Sequence, residues 1–245
     1  MKVYIQKVKE GHPATVNYYV AGEGFRTMGY EICDFYKGNE LEGNTPEDVV
    51  VGSIDDVKAV WRNLGVAIPE EINYPKELEP FLGRKIWKST VNTIANNPEK
   101  WNVFIKPAKA SKKFTGVLVK TPKDLIGCGD QLEDTEIWCS EPVNFLAEWR
   151  CFVRYGRILD ARMYKGNWRL HFDYKVIEEA VKAYTTAPKA YAIDFGLTDK
   201  GETLLVEVND GYSLGTYGLF YLDYAKLLAT RWAEITKTID ECYYL

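Results

Sequence analysis

The segment Ala190–Gly211, AYAIDFGLTDKGETLLVEVNDG, decides how the chain is read. Two apolar runs, Ala190–Leu197 and Thr203–Val208, flank Asp199-Lys200-Gly201-Glu202, and turn chemistry between such runs predicts an antiparallel hairpin. A two-residue Lys200-Gly201 loop pairs Asp194 with Glu207 and puts Asn209, two residues along its strand, on the same face. Two carboxylates and an amide then converge on one patch. Like charges facing each other across a ladder destabilise it, so a cation belongs between them. Hard oxygen donors without His or Cys suit Mg²⁺ or Mn²⁺, usually shared with substrate phosphates. Most strand carboxylates are simply solvated acids. Here Glu207 and Asn209 alternate with Val206 and Val208, and the turn Asp210-Gly211 follows at once.

Upstream of this hairpin, Val103–Pro107, Val117–Val119, Glu136–Cys139, Trp149–Tyr155 and Arg157–Tyr164 read as strands joined by tight turns. A helix over Tyr174–Thr185 carries Val176, Ile177, Ala180, Val181 and Tyr184 as its apolar stripe, and a last helix covers Leu219–Ile239. The start of the chain follows another pattern. Strands at Met1–Gln6, Tyr30–Phe35 and Val49–Gly52 alternate with helical segments at Asn17–Gly29 and after Ser53-Ile54-Asp55-Asp56, a capping-box sequence. Such alternation implies an α/β lobe with a mainly parallel sheet. Pro69–Pro80, PEEINYPKELEP, reads as the linker. The expected organisation is therefore an N-terminal α/β lobe over 1–75 and an α+β core over 76–245, with sub-lobes of about 76–142 and 143–245.

Composition narrows the class of function. The balance of 31 Lys and Arg against 35 Asp and Glu gives a net charge of −4, with no basic tail. That argues against a dedicated duplex nucleic-acid binder, without excluding a local basic groove. The five cysteines form no CxxC pair, and Met1–Val20 has no signal-peptide pattern, so they read as reduced thiols of a cytoplasmic protein. His12 and His171 lie in no metal-ligand pattern, which makes a zinc site improbable. No apolar run approaches the roughly 20 residues of a membrane span.

An Asp on one strand followed 13 residues later by Glu-x-Asn on the next resembles the metal-binding hairpin of ATP-grasp enzymes. Two more segments extend the likeness. Glu136–Val143, EIWCSEPV, is similar to the strand and hinge whose backbone reads adenine, and Glu148 stands seven residues after Glu141, the spacing of a ribose-holding Glu. Val103–Gly116, VFIKPAKASKKFTG, resembles the phosphate lysine and flexible phosphate loop. The resemblance spans about Leu82–Tyr217, and LGRKIWKST, FTG, SEP, EWR and VEVNDG together resemble a small bacterial and phage ATP-grasp clade of undefined substrate.

This resemblance implies an ATP-grasp core of two lobes with antiparallel sheets sandwiching ATP. It implies ATP and Mg²⁺ (or Mn²⁺) as cofactors, with Asp194, Glu207 and Asn209 on the metal. Lys106, Lys113, Thr115, Gly116, Glu141, Val143 and Glu148 would bind ATP. The family often places an arginine two residues before the metal Asp, where this chain has Ala192, so another cation must meet the transferred phosphoryl group. Arg150, Lys165 and Arg162 are the candidates, with Arg150 ranked first and Arg150 or Lys165 expected to orient the acyl phosphate. A two-residue Tyr155-Gly156 loop puts Arg150 on the face of Glu148, and Lys165 too if the ladder continues, but turns Arg162 away unless a bulge intervenes. Asp210, Gly211 and Tyr212 stand where they would line the acceptor site. The implied reaction is ADP-forming ligation of a carboxylate, on a small molecule or peptide, to an amine. The alternative is repair of an RNA or DNA end by the same ATP machinery, with the cations of Arg150–Arg169 as its groove. A non-catalytic nucleotide-binding module ranks last.

Overall fold

A computed structural model describes residues 2–10, 12–109, 114–129 and 133–244. The chain divides into two compact units, Met1–Phe81 with Leu146–Leu245, and Leu82–Phe145.

The larger unit begins with β1 (Lys2–Lys9), buried from Val3 to Gln6, as a strand flanked on both sides must be. It pairs in parallel with β3 (Glu31–Phe35) and β4 (Val49–Val51), and antiparallel with the short β2 (His12–Pro13). Helices α1 (Val16–Thr27) and α2 (Ile54–Asn63) complete the α/β pattern expected here. Ser53 caps α2, its side chain accepting from the Asp56 N–H at 3.2 Å. The reciprocal half of the expected capping box is made by another residue: the Ser53 N–H donates to Gln6 Oε1 at 2.7 Å. The Asp56 carboxylate takes instead the Gly38 N–H at 2.8 Å and the Gln6 amide at 2.5 Å.

Residues 146–244 carry the four-stranded sheet β10–β9–β11–β12, formed by β9 (Phe145–Arg154), β10 (Arg157–Gly166), β11 (Ala190–Thr198) and β12 (Thr203–Asp210). Helix α4 (Tyr174–Ala183) buries Ile177 and Ala180, and Tyr184 just beyond its end. Helix α5 (Tyr221–Thr236) joins the two stretches of the unit. Val3, Ile5, Phe25 and Trp61 share one apolar cluster with Phe152, Ala190, Ala192, Tyr224, Leu228 and Trp232. At the α1–α5 crossing a Cβ on Gly24 would stand 2.3 Å from the Tyr221 carbonyl oxygen, so only glycine allows this approach.

The smaller unit is the antiparallel sheet β5–β8–β6–β7, from β5 (Ile86–Thr90), β6 (Val103–Pro107), β7 (Val117–Val119) and β8 (Glu136–Ser140). Helix α3 (Val91–Ala95) covers one face, burying Val91 and Ile94 with Val103, Ile105, Ile137 and Cys139. The sequence reading gave no strand at Ile86–Thr90, where the run IWKST is short and its polar residues leave the apolar alternation weak. All five cysteines are free, and no helix among the described residues is long and apolar enough to cross a membrane.

Burial pushes the Asp56 carboxyl up, but hydrogen bonds from Gly38, Ser53 and Gln6 outweigh it and leave it below its ordinary value. Its contribution to stability is therefore present above about pH 4 and lost as pH falls. Asp56→Asn is expected to cost about 1–2 kcal/mol at neutral pH and to flatten the acid limb of the stability curve. Denaturant melts at neutral pH and at about pH 3 measure both. Equal stability of variant and parent at neutral pH would remove the carboxylate from this network.

Candidate active site

The β11–β12 hairpin does pair Asp194 with Glu207 and Ala192 with Asn209, but by a route the sequence reading did not contain. The loop is Asp199-Lys200-Gly201, closed by Thr198 N–H to the Glu202 carbonyl at 2.9 Å, with Gly201 at φ +81°. From this turn Leu197 pairs with Thr203 and Phe195 with Leu205, a register that would set Asp194 against Val206. A bulge at Val206 absorbs one residue. Because a one-residue slip exchanges the two faces of a strand, this bulge is what brings the carboxylates opposite each other.

The β9–β10 hairpin has the expected two-residue turn, Tyr155 at φ +51° and Gly156 at φ +70°. Bulges at Leu159 and Tyr164 then shift its register twice. The first sets Arg162 directly opposite Arg150, onto the face from which an unbroken ladder would have turned it. The second sets Lys165 opposite Glu148, where an unbroken ladder would have paired it with Leu146 on the same face. The structure thus gathers Glu148, Arg150, Arg162, Lys165, Asp194, Glu207 and Asn209 on one sheet.

Arg150 grips Asp194 with both nitrogens of its fork, Nε to Oδ1 at 2.9 Å and Nη2 to Oδ2 at 2.7 Å. The pair is buried, with the Asp194 residue 1% and Arg150 7% exposed. Burial pushes the Asp194 carboxyl above the usual carboxylate range and Glu207 adds to it, while Arg150 opposes both. Burial also works against the Arg150 charge, but Asp194 outweighs it, and the guanidinium is held more firmly protonated than usual. Asn209 donates its amide N–H to Glu207 Oε1 at 3.2 Å and to Asp194 Oδ2 at 3.3 Å, which uses no lone pair of the amide oxygen.

Among the described residues no cluster of three His, Cys, Asp or Glu side chains could hold a metal, and a set here would take its third donor from the Asn209 amide oxygen. Asp194, Glu207 and Asn209 are hard oxygen donors and fit Mg²⁺.

Two aromatic residues were missed from sequence. Tyr164 donates its hydroxyl to Glu148 Oε2 at 2.8 Å, beside Lys165 Nζ on Oε1 at 2.5 Å. The Tyr217 ring stacks on Tyr164 at 5.1 Å and lies 5.0 Å from the Arg150 guanidinium. Parity along β10 would have found Tyr164 had its bulge been legible. Nothing in the local sequence marks Tyr217. Of the residues expected to line the acceptor site, Asp210 pairs with Arg231 and Tyr212 packs edge-on against Trp61 at 4.7 Å. Gly211 is close-packed, a Cβ there standing 2.2 Å from the Ala190 carbonyl oxygen.

In the smaller unit Lys106 on β6 and Lys88 on β5 are the cross-strand neighbours of Trp138 on β8, and Lys88 Nζ lies 5.0 Å from the indole centroid. Lys88 was not singled out, because its strand was not read. Glu141 is exposed and accepts the Lys85 N–H at 2.9 Å, while half-buried Val143 lies in the irregular segment after β8. Thr115 is exposed, and Gly116 sits against Phe104, where a Cβ would be 2.5 Å from the ring. Lys113 lies outside the described residues.

Residues 81–227 match the ATP-grasp domain, R2K clade family 2. No curated protein sequence matches the chain. The fold is similar to D-alanine–D-alanine ligase from Bacillus anthracis, at 14% identity over 96% of each chain with a TM-score of 0.57. It is also similar to N5-carboxyaminoimidazole synthetase from Staphylococcus aureus, at 13% identity over 97% of this chain and 77% of that one, TM-score 0.59. The ATP-grasp ligase PsnB, solved with a minimal precursor, is similar at 13% identity over 94% of this chain and 99% of that one, TM-score 0.52.

Removing Arg150 leaves the Asp194 charge buried without its partner. Arg150→Met is expected to cost about 3–5 kcal/mol in denaturant unfolding, and Arg150→Met with Asp194→Leu to recover most of it. A single-variant loss under about 1 kcal/mol would place the pair among solvent-screened ion pairs.

Proposed function

We propose that this chain, which belongs to the R2K clade family 2 of ATP-grasp domains, is an ATP- and Mg²⁺-dependent ligase that joins a carboxylate to an amine and releases ADP. The observation that carries the reading is the cross-sheet arrangement of charge. Arg162 pairs with Arg150 on β10 and β9, Asp194 pairs with Glu207 on β11 and β12, and Arg150 bonds Asp194 between the two hairpins. A cationic half beside an anionic half suits a reaction in which a phosphoryl group bound through metal is passed to an anion.

Asp194, Glu207 and Asn209 are the residues to hold Mg²⁺, which when bound neutralises charge on the phosphates. Following the family resemblance, Lys106, Lys113, Thr115 and Gly116 are assigned to the phosphates, Glu141 and Val143 to adenine, and Glu148 to the ribose. In the reaction, a substrate carboxylate oxygen bonds to the γ-phosphorus and the bond to ADP breaks. The amine then attacks the acyl carbon, inorganic phosphate leaves, and the amine loses a proton. The acceptor is a small molecule or a peptide.

The three cations offered from sequence are not equivalent. Arg150 is occupied by Asp194 and Lys165 by Glu148. Among the described residues Arg162 makes its one ion pair with Asp160 of its own strand, at 2.5 Å, and its Nε has no hydrogen-bond partner. Facing Arg150 directly, it makes a like-charged pair that a third anion would relieve. Arg162 is therefore placed on the carboxylate that becomes phosphorylated. The other pairings weigh against a nucleic-acid groove: Arg150, Arg154 and Lys165 each face a carboxylate of this chain.

Two measurements test the reading. Product analysis with candidate carboxylates and amines is expected to show ADP and phosphate, and calorimetry to show Mg·ATP bound at least about tenfold more weakly by a folded Glu207→Gln variant. Pyrophosphate release stimulated by RNA ends would overturn the reaction, and unchanged Mg·ATP binding in that variant the metal assignment. Arg162→Ala is expected to lower kcat by about 10²-fold with little change in ATP affinity. A loss confined to ATP affinity would move Arg162 off the transferred group.

A further inference from the structure

The buried arginine of α5, assigned no role above, stands behind the two strands that carry the candidate metal ligands. Arg231 is 7% exposed and holds Asp210 with its fork, Nε to Oδ1 at 2.6 Å and Nη2 to Oδ2 at 2.7 Å. Its remaining nitrogen, Nη1, donates to Glu234 Oε2 at 2.7 Å, one helical turn further along. That same Glu234 oxygen accepts the backbone N–H of Lys189 at 2.9 Å. Lys189 immediately precedes β11, and Asp210 is the last residue of β12.

The guanidinium therefore ties one helix to both strands at the open end of the hairpin. Tyr191 and Asp210 are cross-strand partners there, and the next pair, Ala192 with Asn209, already contains a ligand. Gly211 closes the same end from the other direction: a Cβ there would meet the Ala190 carbonyl oxygen at 2.2 Å and Arg231 Cβ at 3.1 Å. Asn209 has no slack along its strand. Bulge at one end and clamp at the other leave its amide in reach of both Asp194 and Glu207.

We infer that Arg231, through Asp210 and Glu234, is a positioning residue for the metal site, fixing where Asn209 stands relative to Asp194. Arg231 does not touch the metal. It acts as outer partners of metal ligands do, by restricting where a ligand can go, and the loss of such a partner is read in metal affinity. The inference rests on the proposed metal set.

The test is a Mg²⁺ titration of ATP binding, followed by calorimetry, on the full chain. Arg231→Met and Asp210→Asn are each expected to raise the Mg²⁺ concentration for half-maximal binding by about tenfold, and Arg231→Lys to raise it less. Arg154→Met removes a partly buried arginine of the same unit, which holds Asp240 and Thr230, and serves as the control for general destabilisation. Its Mg²⁺ dependence is expected to match the parent after correction for the folded fraction. If Arg231→Met does not fold, the double variant Arg231→Met with Asp210→Leu removes both charges and is read the same way. An unmoved Mg²⁺ dependence in a folded Arg231 variant, or an equal shift in Arg154→Met, would overturn the positioning role and leave the metal set standing. ATP binding by the parent that ignores Mg²⁺ would overturn the metal set itself, and the inference with it.

Discussion

The charge of Asp194 is tolerable in the interior because Arg150 takes both of its oxygens. An ionised carboxylate stripped of water costs several kcal/mol, and a buried pair recovers that cost only with near-ideal geometry. The fork supplies the geometry, the Asn209 amide supplies one further donor, and the Tyr217 ring lies under the cation. Glu207 can then stand opposite Asp194 without the sheet parting. The anionic patch and the cation beside it are therefore built together, with the cation supplied from the neighbouring strand β9.

Much of this was legible in the sequence because strands alternate with period two. Once Asp194 and Glu207 are placed on adjacent strands, the pairing of Asn209 with Ala192 and its convergence with the carboxylates follow. What the sequence hid was the means. The turn holds three residues instead of two, and the bulge at Val206 cancels the difference, so the correct pair was reached from an incorrect loop. On β10 the same kind of irregularity had the opposite effect: Arg162 joined Arg150 only because of an extra residue at Leu159 that no local composition announces. Bulges are set by packing on both faces of a sheet, which a single strand's sequence does not contain.

Residues whose role depends on distant segments were harder still. Tyr217 and Arg231 lie in a loop and a helix with no motif around them, and they matter through what the tertiary fold brings beside them. Asp210 has a partner that its local sequence does not announce. Its place after Glu-x-Asn suggested an acceptor-site residue, while the nearest cation in space is on α5, and a buried carboxylate goes to its counter-ion. Lys88 was lost with its strand, since Ile86–Thr90 takes its identity from pairing with β8 more than from its own residues.

The glycine contact between α1 and α5 also bears on how the chain folds. The core of residues 2–81 is closed by side chains from Tyr224 to Trp232, so an earlier segment is completed by one some 140 residues or more further along the chain. Residues 82–145 form a unit whose described core cluster is drawn from its own residues. On a growing chain this middle unit can fold while β1, α1 and α2 still lack their covering helix, with Phe25 and Trp61 exposed to solvent. Closing a loop of that length carries a larger entropic cost than any contact within the middle unit, and it falls on the docking of α5.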